Sequence, residues 1–327
     1  MRLENSMDEA SLVEMGLCPI PRKGARPLDP SLGAASLFRA LPGVSALLRF
    51  ACLGLFLLAP AGAGLAAQAS APAQAAPPAQ APVPATAAPA IGTAAPADSG
   101  AKTEFSVGMA VRVSNAPYKS YSTQWEPVPI ISLEHERFYI RDYTAGVKLL
   151  NLKYFELSVF GEYDDTDFDA SDSSERRMKR LKDRDSSGML GTEARLITPL
   201  GMLHASAARD VLGTSDGWKG AIGYKNSLEY GPVEFIPALG AYWASDRYND
   251  YYYGVSKHQS RKSGVGRYEA KGGFSPYAGL TVDYSFNDNW DVFCSGEMIF
   301  LSDEIQDSTM VDSTRTQSVT AGFMYNF

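Results

Sequence analysis

From Glu104 to the last residue the chain alternates apolar and polar side chains with a period of two. Phe105, Val107, Met109, Val111 and Val113 share one face, while Ser106, Gly108, Ala110 and Arg112 share the other. Successive Cβ atoms leave opposite sides of a pleated backbone, so this period predicts strands. In Phe155 to Tyr163, Leu157 and Val159 oppose Glu156, Ser158 and Glu162. In Trp218 to Tyr230, Ile222, Tyr224 and Leu228 oppose Lys219, Lys225 and Glu229. Ala278, Leu280, Val282 and Tyr284 oppose Ser275, Thr281 and Asp283, and Val292, Cys294 and Met298 oppose Asp291, Ser295 and Glu297. The pattern continues through Thr316 to Phe327, where Val319, Ala321, Phe323, Tyr325 and Phe327 form one apolar face. Chain ends normally fray and are polar. An apolar last residue fits a strand that closes a barrel in lipid, where every edge has to be paired.

Strands are predicted at 104–113, 128–136, 138–150, 155–163, 188–198, 202–212, 218–230, 233–244, 250–256, 274–286, 290–300 and 316–327. That makes twelve, an even number, as a single-chain bacterial barrel requires. Ten is also compatible, because the pairs around Glu136 and Pro199 each read as one bent element. Trp218, Trp243, Trp290 and Phe300 end their apolar stripes, where a barrel places its aromatic girdles. A soluble antiparallel sandwich alternates too. The number of strands, the terminal Phe and the want of a convincing amphipathic helix favour the expected class: all-β, a transmembrane antiparallel β-barrel of about 12 strands. With both ends periplasmic, turns at 213–216, 245–249 and Asn287-Asp288 fall inside and loops at 114–127, 257–271 and 302–315 outside. The long charged segment 164–187 then falls on the periplasmic side, against the usual asymmetry. Either the strand count slips ahead of it or a charged loop faces the cell wall.

Composition refines this picture. The 327 residues carry a net charge of −7, and 20% are charged. No stretch reaches the roughly 18 uninterrupted apolar residues of a transmembrane helix, so a membrane fold has to be a barrel. The mild acidity argues against a nucleic-acid partner. Ahead of the strands, Arg39 and Arg49 precede an apolar stretch, Phe50 to Leu58, and then small residues, the layout of a secretory signal peptide with cleavage after Ala63 or, preferably, Ala69. The sequence ahead of this basic region is longer than a leader needs, so residues 1–69 are expected to be a start assigned too far upstream plus the signal peptide. Arg49 occupies the position where a lipobox at Cys52 needs an apolar residue. Cleavage leaves only Cys294 and therefore no internal disulfide. Residues 70–103 are an Ala/Pro-rich linker that buries too little to fold and, extended, spans on the order of 90 Å. The barrel is expected over 104–327.

Candidate chemistry is sparse. His135, His204 and His258 lack metal-ligand spacing and any neighbouring nucleophile motif. Asp164, Asp165, Asp167, Asp169 and Asp172 offer oxygens to Ca²⁺ without the spacing of a calcium loop. No catalytic residue, cofactor or metal is expected. Lys257, Arg261, Lys262 and Arg267 make a basic loop that suits the phosphates of lipopolysaccharide. Tyr248, Tyr251, Tyr252 and Tyr253 suit sugar stacking or, better, packing at the rim.

The segments YKSYSTQWEPVPIISLEHERF from Tyr118, YNDYYYGVSKHQSRKSG, SPYAGLTVDYSF, LSDEIQDSTMVDS and the closing MYNF resemble those of the MltA-interacting protein and OmpV family, in order across 104–327. The resemblance implies a β-barrel in the cell outer membrane, surrounded by its lipid and lipopolysaccharide. It also implies a non-catalytic scaffold in murein synthesis that joins a membrane-bound lytic transglycosylase to a bifunctional penicillin-binding protein. The Ala/Pro tract departs from the family's compact form. The terminal strand resembles the signal that directs barrels to insertion, which assigns that role to Val319, Ala321, Phe323, Tyr325 and Phe327. A small pore or solute channel is the competing function, and segments 164–187 and 70–102 are the candidate partner contacts by reach and charge.

Overall fold

The computed structural model describes residues 103–327. The expected leader and, apart from Thr103, the Ala/Pro linker lie outside the described residues. Those residues form β1 (Glu104–Ser114), β2 (Gln124–Glu134), β3 (Phe138–Arg141), β4 (Thr144–Leu152), β5 (Phe155–Asp164), β6 (Ser187–Thr198) and β7 (Gly201–Asp210). They continue as β8 (Trp218–Lys225), β9 (Leu228–Tyr230), β10 (Val233–Ala244), β11 (Gly273–Ser285), β12 (Trp290–Phe300) and β13 (Arg315–Asn326). Each strand pairs antiparallel with its neighbours, and β1 with β13 closes the ring. Both β8 and β9 lie on β10, separated at Asn226-Ser227, so the two are one stave and the barrel has twelve. Phe327 completes the seam: its N–H donates to the Phe105 carbonyl at 3.0 Å and its ring stacks on Phe105 at 5.1 Å.

The apolar stripes face lipid. Met109, Val111, Leu190, Ile222, Leu239 and Phe323 are all exposed on the outer wall. Their alternate neighbours turn inward, among them Arg112, Ser158, Asp283 and Thr320, which are buried. In water this arrangement would be inside out. In a bilayer it is the stable one.

The count of twelve holds, but two of its members change. The expected strand 138–150 is a hairpin that turns at Asp142-Tyr143, with Asp142 at φ 50°. Aspartate tolerates this left-handed conformation, and the alternation runs on through the turn and hides it. The expected strand 250–256 is instead largely helix α1 (Asp246–Tyr253). Tyrosine's β propensity is overruled there by burial, since Tyr248, Tyr252 and Tyr253 all pack inward. One strand gained and one lost shift every crossing between them by one. Loop 165–186 therefore lies on the same side as 115–123, 211–217, 245–272 and 301–314, and the corrected segments include 213–216 and 245–249. The opposite, periplasmic side holds both ends of the described chain and only the tight connections at 135–137, 153–154, 199–200, 231–232 and 286–289.

β3 covers only Ser132 to Glu134 of β2, so the outer half of β2 has an open edge. Ile131 directs its carbonyl to that edge, accepting from Asp142 N at 2.9 Å, so alternate residues back to Trp125 face the same way. Pro127 and Pro129 occupy two of those positions. Each removes a donor that would have had no partner.

Candidate functional site: a capped lumen

The outer loops fold into one body over the barrel mouth. It contains α1, α2 (Lys257–Ser263) and the short α3 (Asp303–Gln306), so the chain does hold helices that its alternation conceals. Ser256 caps α2 in a reciprocal box with Gln259, and Gly264 ends it at φ 80°, a left-handed position that favours glycine. Tyr118, Phe168, Met178, Tyr252, Val255, Val265, Ile305 and Met310 share one buried core with Tyr139, Phe160, Met189 and Ala208 of the barrel wall. The cap is thus seated in the mouth and continuous with the wall. Tyr118 meets Phe168 edge-on at 4.8 Å, and Tyr248 meets Tyr252 at 4.8 Å. The tyrosine cluster packs as expected, with Tyr248, Tyr252 and Tyr253 too deep to stack on a sugar.

Polar bonds lock the cap. Tyr248 donates to Asp164 Oδ2 at 2.8 Å, and Asn249 donates to the Lys271 carbonyl at 2.7 Å. Buried Arg184 donates to the carbonyls of Lys182 and Tyr251 at 2.5 Å, to that of Gly254 at 3.1 Å and to Gln259 Oε1 at 3.2 Å. One guanidinium therefore ties loop 165–186 to both helices of loop 245–272.

The aspartate run diverges rather than converging on one point. Asp164 accepts from Thr166 and Tyr248 and pairs with Lys219 at 3.4 Å, Asp165 pairs with Arg112 at 3.6 Å, and Asp169 accepts from Ser171 N at 2.7 Å. Among the described residues no group of three or more His, Cys, Asp or Glu is arranged to hold a metal ion. Burial pushes Asp165 up to about 6 despite Arg112, and burial with the neighbouring carboxylates pushes Asp167 up to about 8. A carboxyl that binds its proton more tightly when folded stabilises the fold below its unfolded pKa, and that stabilisation is lost as pH rises through the folded value. Segment 165–172 is therefore expected to be better protected from amide exchange at about pH 5 than at about pH 8.5, after correction for intrinsic rates. Equal or reversed protection would contradict this.

Inside the barrel, six charges close into a ring. Glu134 pairs with Arg141 at 3.0 Å, Arg141 with Glu193 at 4.0 Å, Glu193 with Arg195 at 2.7 Å, Arg195 with Glu156 at 3.7 Å and Glu156 with Lys148 at 3.4 Å; Lys148 returns to Glu134. Arg141 also lies over the Tyr139 ring at 4.1 Å. Beside the ring, on the inner wall of β12, β13, β1 and β2, Ala110, Val128, Ile130, Phe293 and Met324 form an apolar cluster. A cavity of about 290 Å³ remains in the lumen, lined by Arg141, Glu193 and Arg195 of the ring and by Tyr248, Asn249, Tyr253, Leu301 and Ile305 of the cap, among others.

Of the residues singled out from sequence, Val319, Ala321, Phe323 and Tyr325 lie along the lipid face of β13, with Phe327 at its end. Lys257, Arg261 and Lys262 are exposed on α2, and Arg267, exposed beyond it, pairs with Glu269 at 3.7 Å. The short turn Met178–Arg180 packs on α2, which brings Arg176, Arg177, Lys179, Arg180 and Lys182 to the same outer face. Sequence reasoning put these two basic segments on opposite sides of the membrane. The three histidines are dispersed: His135 stacks on Phe138 at 4.5 Å, His204 lines the cavity and His258 is exposed on α2. Cys294 is buried and free of disulfide.

A closed antiparallel barrel with an apolar belt, short turns at one end and folded loops at the other is an outer-membrane β-barrel protein. The family model described as MltA-interacting protein MipA matches residues 107–327, and the chain belongs to that family. The MltA-interacting protein of Escherichia coli (strain K12) is 35% identical over 69% of this chain and 92% of its own length. YiaT of the same strain, named as an outer membrane protein, is 32% identical over 70% and 93%. Outer membrane protein OmpV of Vibrio cholerae serotype O1 is 27% identical over 57% and 74%. The protein resides in the cell outer membrane.

Proposed function

We propose that the barrel is a non-conducting, non-catalytic scaffold that holds a periplasmic lytic transglycosylase, and with it a bifunctional penicillin-binding protein, at the outer membrane. The carrying observation is the cap, which sits in the barrel mouth with a buried core shared with the wall, where a solute channel needs open space. The name of the 35%-identical relative supports the transglycosylase as partner. The penicillin-binding protein rests on the family resemblance. Loop 165–186 faces outward, so it is no longer a candidate contact with cell-wall enzymes. The other candidate, 70–102, precedes β1, whose first residue lies at the periplasmic end, and so it is kept.

The test pairs two measurements on the purified full chain. A pull-down from solubilised envelopes is expected to retain a lytic transglycosylase, and to lose it when residues 70–102 are deleted. Planar-bilayer recordings are expected to show no unitary steps. Steps of a defined size, with no enzyme retained, would establish the channel instead.

The same reading places lipopolysaccharide on the cationic outer face. Among the described residues none of Arg176, Arg177, Lys179, Arg180, Lys182, Lys257, Arg261 and Lys262 has an ion-pair partner within 4.0 Å, which leaves them free for phosphate. Changing Lys257, Arg261, Lys262 and Arg267 to Gln is expected to lower co-purifying lipopolysaccharide several-fold, with the difference fading as salt rises. Retention equal to the parent at low salt would refute it.

A further inference from the structure

Lys225 on β8 and Glu297 on β12 stand on one row of the sheet. The register passes from Lys225 to Ala238, from Ala238 to Gly279 and from Gly279 to Glu297. All four line the cavity. The two residues between the charges contribute a methyl group and a hydrogen, so the row forms an alcove with a charge at each end. At about 4.8 Å per strand the ends are roughly 14 Å apart along the wall, and the two side chains shorten the gap from both sides.

One row outward, Tyr277 lies flat across its neighbours. A Cβ on Gly240 would come within 2.6 Å of Tyr277 Cε1, and one on Gly223 would overlap the Tyr277 hydroxyl, so both glycines are needed for this pose. Tyr242 stacks on Tyr277 at 4.4 Å with the rings 13° from parallel, and its hydroxyl donates to Glu297 Oε2 at 3.1 Å. The stacked pair forms the outer side of the alcove and fixes one carboxylate oxygen.

Neither charge is neutralised by the protein. Among the described residues, no carboxylate lies within 4.0 Å of the Lys225 ammonium and no cation lies within 4.0 Å of the Glu297 carboxylate. The charged neighbours of Lys225 are Arg195, Arg141 and Glu193, and Glu193 is already held by Arg195 at 2.7 Å. The cation acting on Glu297 is Arg112, itself paired with Asp165 at 3.6 Å. Charges withdrawn from bulk water are costly unless met by a partner. An ammonium and a carboxylate held apart over a small-residue floor are complementary to a molecule with the opposite charges at its two ends.

We propose that this alcove binds a short zwitterionic peptide, with its carboxylate on Lys225, its ammonium on Glu297 and its backbone over Ala238 and Gly279. The cavity, about 290 Å³, is at the lower end of the range for small-ligand sites, which suits a dipeptide rather than a polymer. Tyr248, Asn249 and Tyr253 of the cap line its outer side. This inference is independent of the scaffold reading and stands or falls without any enzyme partner.

The test uses the purified full chain in detergent micelles and titration calorimetry with Ala-Ala, N-acetyl-Ala-Ala and Ala-Ala amide, the last two each lacking one charge. Ala-Ala is expected to bind saturably and about tenfold or more tighter than either capped form, as expected for losing one charged hydrogen bond. Lys225→Gln is expected to erase the preference over the amide while keeping that over the acetylated peptide; Glu297→Gln is expected to do the reverse. Heat-modifiable migration on gels confirms that each variant is folded. If wild-type protein binds no Ala-Ala, or binds all three peptides alike, the proposal is overturned whatever the variants do. If folded variants keep both preferences, a dipeptide site exists elsewhere and this assignment is wrong.

Discussion

Replacing residues 246–271 with a short Gly/Ser linker is expected to make the barrel conduct. The replaced segment carries α1 and α2, and with them Tyr248, Asn249 and Tyr253 from the lining of the cavity. Twelve staves enclose more space than the eight-stranded barrels that side chains fill, and less than the sixteen or more of an open porin. The wall-bound charge ring and the cluster around Phe293 occupy part of that space, and on the proposed reading the cap closes what remains. In planar bilayers the intact chain should give no unitary steps, whereas the variant should give steps well above baseline noise. Far-UV circular dichroism and heat-modifiable migration should match the parent, because no strand is touched. A folded variant that stays silent would mean that the interior itself blocks the lumen and that the cap is not the seal.

The second large effect centres on Arg184. Its replacement by Ala removes one buried cation and takes a donor from the carbonyls of Lys182, Tyr251 and Gly254. Hydrogen bonds to a charged donor contribute about 1.5 to 3 kcal/mol each, and a buried acceptor left empty costs a further 1 to 3, so cap opening should become easier by about 3 kcal/mol or more. Amide exchange read by mass spectrometry should show this as a loss of protection of roughly a hundredfold across α1 and α2, with the strands unchanged. Arg184→Lys should recover only part of it, because an ammonium cannot reach four acceptors with a planar fork. Unchanged exchange in α1 would show that the apolar core holds the cap without this side chain.

The barrel was legible because lipid and lumen impose a strict alternation. Every stripe named on β1, β5, β8, β11, β12 and β13 faces the way its period requires, and Phe327 ends on the seam. The cap was not legible, because its elements are short and owe their shape to one another. The tyrosines of α1 satisfy a strand's preferences equally well, and contacts far away in the chain, such as Tyr248 with Asp164 and Tyr253 with Tyr118, decide for helix. The hairpin at Asp142 escaped for the opposite reason: alternation continues on both sides of it, so periodicity gives no signal where the chain reverses. The lumen site was half visible. Lys225 and Glu297 were already on polar faces, but only the strand register puts them on one row, and nothing local in either segment specifies register with a strand three places away.

The cap also determines how the outside world can recognise this protein. Met178 and α2 are neighbours in space though distant in sequence, so the exposed basic surface is assembled from separate stretches of chain. An antibody, a phage fibre or a host receptor that grips it reads a discontinuous epitope. Linear peptides copied from either loop alone will present half of that surface without the core that shapes it, and immunisation with them should yield sera that recognise the denatured chain far better than the intact cell.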